Sequence, residues 1–63
     1  MRDDLVVAIL DALSIRPMSP GQLVGWLLEA GPVTRDEIVT TLAAMETRGL
    51  VELADDRNWR NRD

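Results

Sequence analysis

The sequence predicts one small, mainly helical domain, with three helices followed by a short two-stranded β-hairpin. Three observations carry this. Ser19–Gln22 and Thr34–Glu37 both have the spacing of a capping box, in which side chain and backbone N–H satisfy each other reciprocally. Apolar residues recur at helical spacing in three separate stretches. After Gly49 the pattern changes to the short strand-like run Leu50-Val51-Glu52-Leu53.

The first helix is expected over about 3–13. Leu5, Val6, Ile9, Leu10 and Leu13 form its apolar stripe, with Asp4 and Asp11 opposite and Val7 on the polar side. Asp3 or Asp4 caps it, and Arg16-Pro17 ends it because the residue before proline avoids helical geometry. The link 15–18 is short enough for a turn or a minimal strand. Ser19, Pro20 and Gln22 open a second helix over about 20–30, with Leu23, Val24, Leu27 and Leu28 on its buried side. Gly31-Pro32 ends it, read as a left-handed residue followed by a breaker. The third helix, about 34–48, buries Ile38, Leu42 and Met45, and Gly49 stops it in the left-handed region. A wing over about 50–61 follows, with the Asp- and Asn-rich stretch 54–58 at its tip and Trp59 opening the return strand. The expected shared core is Leu5, Ile9, Leu13, Leu23, Leu27, Ile38, Leu42, Met45 and Leu50.

Two helices joined by a short turn, the second opening on a threonine cap, make a helix-turn-helix arrangement. Together with the run R-G-L-V-E-L, a polar turn and Trp59, the pattern over 5–59 resembles the winged helix-turn-helix family. Met45 stands where that family commonly has leucine, and the second helix is about one turn longer than in compact bacterial repressors. The resemblance implies a winged helix-turn-helix fold and a small DNA-binding transcriptional regulator, of phage or mobile-element type. Its third helix would face the major groove of double-stranded DNA with Arg35 and Thr40. Its wing would hold phosphates with Arg57, Arg60 and Arg62.

Charge argues the other way. Eleven acids against seven bases, all of them arginine, give a net charge of −4, whereas a DNA-binding domain normally carries a basic footprint. Asp36 and Glu37 place acids where phosphates would approach, although both also suit a helix N-terminus. The alternative is therefore a winged-helix module for protein–protein contact, or an acidic antagonist of a DNA-binding protein, with no DNA binding of its own. Trp26, at the margin of the second helix's stripe, is the candidate for contact with a partner protein or a second copy in a homodimer.

The remaining expectations are negative. Without His, Cys, Lys or Tyr, acid–base groups reduce to carboxylates and hydroxyls lack an activating base, so no enzyme activity is expected. No cofactor or metal site is expected either, and Asp55-Asp56 reads as a solvated turn. The absence of cysteine fits a cytoplasmic setting. The apolar run 5–10 is too short for a membrane span, and the acids after Arg2 argue against a signal peptide.

Overall fold

A computed structural model describes residues 3–62 in the order α1 (Asp3–Ile15), α2 (Pro20–Ala30), α3 (Arg35–Thr47), β1 (Val51–Leu53) and β2 (Trp59–Asn61). Three helices and an antiparallel hairpin make a winged-helix layout, as the sequence predicts. Asp3 and Asp4 both lie inside the first turn of α1, so neither is the cap that the sequence suggests; they act there as acids favouring the helix dipole.

Both capping boxes form. The Ser19 hydroxyl accepts from the Gln22 N–H at 3.2 Å while Gln22 Oε1 accepts from the Ser19 N–H at 3.1 Å. Thr34 and Glu37 exchange the same pair of bonds at 3.2 and 3.1 Å. The helices therefore begin where local sequence says they must. At the far end of α3, the Leu50 N–H reaches the Met45 carbonyl and the Gly49 N–H reaches that of Glu46. This is a Schellman motif, and it needs the φ of +75° at Gly49 that glycine adopts without strain. Gly31 departs from expectation: its φ of −176° is extended, not left-handed. The cause is Pro32, which pushes the preceding residue toward extended geometry.

The core gathers Leu5, Ile9, Ala12 and Leu13 of α1, Leu23 and Leu27 of α2, Ile38, Leu42 and Met45 of α3, and Met18, Val51 and Trp59. Two expectations are corrected here. Leu50 is exposed, and Val51 takes its place in the core. The reason is strand parity: Glu52 faces outward opposite Arg60, so Val51 must face inward and Leu50 outward. Leu28 is also exposed, because it lies at the far margin of the Leu23–Leu27 stripe.

Hairpin register pairs Val51 with Asn61, Glu52 with Arg60 and Leu53 with Trp59. Trp59 also exchanges both backbone hydrogen bonds with Met18, so the link between α1 and α2 is a one-residue strand and β2 runs between Met18 and β1. Asn61 Nδ2 donates to the Leu10 carbonyl at 3.2 Å, tying the hairpin to α1. These contacts fix the angle at which the wing leaves the helices.

Candidate functional site

The face of α3 that looks away from the core carries Arg35, Asp36, Val39, Thr40, Ala43 and Thr47, all exposed. Its inner face holds Ile38, Leu42 and Met45 as expected, together with Thr41, which periodicity alone did not single out. Arg35 sits at the first helical position and Thr40 midway along, so both expected contact residues are accessible. They are flanked by Asp36 in the same first turn and by Val39, which is 52 % exposed.

Beside this face runs an apolar groove between α2 and α3, lined by Pro20, Val24, Val39, Leu42, Ala43 and Trp59, with Glu46 at its end. It encloses about 220 Å³. Small-molecule sites usually span roughly 300–1,000 Å³ with several convergent polar groups, and this groove is smaller and lined almost wholly by apolar side chains. The sequence pattern did not reveal it, because the groove arises only when the Val24 flank of α2 meets the Val39 flank of α3.

The wing arginines occupy three different settings. Arg60 Nε bonds Glu52 Oε1 at 2.9 Å, an ion pair across the hairpin. Arg62 donates its backbone N–H to Leu50, and its guanidinium lies so near Gly49 that a Cβ there would stand 3.5 Å away. Arg57 is at the tip. The tip closes with Arg57 N–H bonded to the Ala54 carbonyl and Ala54 N–H bonded to the Asn58 carbonyl, which makes Arg57 the left-handed residue of a three-residue hairpin loop. Its φ is +64° at a position where glycine is the relaxed choice. Asp56 Oδ1 accepts from the Asn58 N–H at 3.1 Å and holds the other side of the turn. Glu52, Asp55 and Asp56 line a shallow polar hollow around Arg60, so carboxylates accompany the arginines along the wing. Among the described residues no cluster of acids has the geometry of a metal site.

No family model, curated protein or solved structure matches this chain.

Trp26, singled out by the sequence, is 42 % exposed. At about 100° per residue it lies roughly 160° around α2 from Val24, so it belongs to a different surface from the groove. No helix among the described residues is long and apolar enough to cross a membrane.

The strain at Arg57 gives a stability prediction. Arg57→Gly removes a left-handed side-chain residue from the loop and is expected to raise stability by about 0.5–1 kcal/mol. A urea denaturation curve reads this directly. A midpoint at or below that of the parent would mean that the Arg57 side chain makes contacts outweighing its backbone strain.

Proposed function

We propose that this domain is a winged-helix module that makes protein–protein contacts through the α2–α3 face and does not read DNA. The observation that carries this is the groove itself: apolar Val39 and Ala43 stand on the exposed side of α3, where base-reading side chains would be needed, and with Val24 and Trp59 they wall an apolar groove. Base recognition favours Arg, Lys, Asn and Gln, and non-specific affinity comes from neutralising phosphates. On this face Arg35 is accompanied by Asp36 and Glu46, and the whole chain is acidic. An interface centre wants the opposite, namely apolar contact depleted of charge with a polar rim.

A second reading has one observation in its favour. A left-handed arginine at an exposed wing tip is a cost the loop could avoid with glycine, and such strain clusters at functional positions. Under that reading the chain is a DNA-binding transcriptional regulator. Arg57 would insert toward phosphates or the minor groove, with Arg60 and Arg62 behind it and Arg35 and Thr40 in the major groove.

Titration of mixed-sequence duplex DNA at low and at physiological salt separates the two. The protein-contact reading expects no salt-sensitive binding. Steep loss of affinity with salt would overturn it, because that slope counts neutralised phosphates. If such binding exists, substituting Arg57, Arg60 and Arg62 together by alanine should weaken it and flatten the slope. An unaltered slope would remove the wing from the DNA mechanism.

A further inference from the structure

We propose that a second copy of this chain occupies the α2–α3 groove, with the two α3 helices packed antiparallel about a two-fold axis. The inference rests on the protein-contact reading and names the partner. Along one flank of α3 the exposed residues run Arg35, Val39, Ala43, Glu46. A base stands at one end, an acid at the other, and two apolar side chains, the larger Val39 and the small Ala43, lie between. At 1.5 Å rise per residue the two charges are separated by about 16 Å. Among the described residues neither Arg35 nor Glu46 has an ion-pair partner.

That order is self-complementary under one operation. A two-fold interface presents the same patch from both sides. Antiparallel packing centred between Val39 and Ala43 sets Arg35 against the partner's Glu46, and repeats the pairing at the other end. Val39 then meets the partner's Ala43, a large side chain against a small one, over the groove walled by Val24 and Trp59. Parallel packing would instead oppose Arg35 to the partner's Arg35, so the charges select orientation as well as occupant. A domain of this size also has a limited core, and association is a common supplement to it.

Sedimentation equilibrium at low ionic strength, from low-micromolar to millimolar protein, tests the assembly. The parent chain is expected to dimerise. Arg35→Glu alone and Glu46→Arg alone each convert two attractive contacts to repulsive ones and should weaken the dimer by about tenfold or more. An equimolar mixture of the two variants should recover a heterodimer, since opposite charges then meet at both ends. Unfolding does not mimic this pattern. An acid in the first turn and a base in the last turn both favour the helix dipole, so at a concentration low enough for the parent to be monomeric each variant should melt at or above it. A monomeric parent at millimolar concentration would overturn the dimer, while the protein-contact reading is judged separately by the DNA titration. A dimer indifferent to both substitutions, or a mixture that fails to recover, would overturn the antiparallel arrangement.

Discussion

Replacing Ile38 with alanine is expected to leave the domain largely unfolded at room temperature. Ile38 has no exposed surface and sits where the inner face of α3 meets the other helices. Truncating a buried isoleucine costs about 2–5 kcal/mol, through lost transfer energy plus the cavity left behind. A single small core supplies only about 3–5 kcal/mol in total, so the loss is of the same size as the whole. Far-UV circular dichroism through a thermal scan reads it. A melting point within a few degrees of the parent would show that α3 does not bury this face in solution. The contrast is with Val39, the next residue in the chain. It is half exposed on the groove side, and trimming it should leave the isolated domain's stability almost unchanged.

Trp59→Ala is the second large effect, at about 3–5 kcal/mol. Trp59 is 9 % exposed, covers the core from the wing side and pairs through its backbone with Met18. Losing the indole removes the weight that holds β2 against the link between α1 and α2. Fluorescence offers a direct reading because the chain has two tryptophans. The variant reports Trp26 alone, which is already 42 % exposed, so the emission component of a buried indole should vanish. Hydrogen exchange at the Met18 amide should quicken in step with the stability loss. Slow exchange there with a near-parental denaturation midpoint would mean that the wing is held by its backbone pairing and that the ring adds little.

The parts of the fold legible in the sequence are those fixed within one turn of chain. Ser19–Gln22 and Thr34–Glu37 declare their helix starts because a capping box closes over three residues, and Gly49 declares a stop because only one backbone geometry completes the Schellman bonds. What was not legible depends on pairing between distant segments. Leu50 and Val51 are both apolar, and which one turns inward follows from the Glu52–Arg60 register, set across the hairpin. The link 15–18 reads as either a turn or a minimal strand, and only the pairing of Met18 with Trp59 decides for the strand. The same limit applies to the site. Arg57, Arg60 and Arg62 look like one basic cluster in sequence, yet register gives Arg60 to Glu52 and turn geometry isolates Arg57 at the tip. Gly31 differs from the left-handed expectation for a local reason, its neighbour Pro32, which outweighs the usual habit of glycine after a helix.

The Met18 pairing has a further consequence for how the molecule keeps to itself. A two-stranded hairpin standing free would offer two open edges, each a row of unpaired amides and carbonyls able to recruit another chain as an added strand. Met18 covers the Trp59 end of β2, and β1, the opposite edge of the hairpin, is three residues long. Glu52 sits at its centre, bound to Arg60, so a strand arriving there meets a short, charged template. Edge-to-edge aggregation is thereby disfavoured, and helical surfaces are left as the domain's route to association.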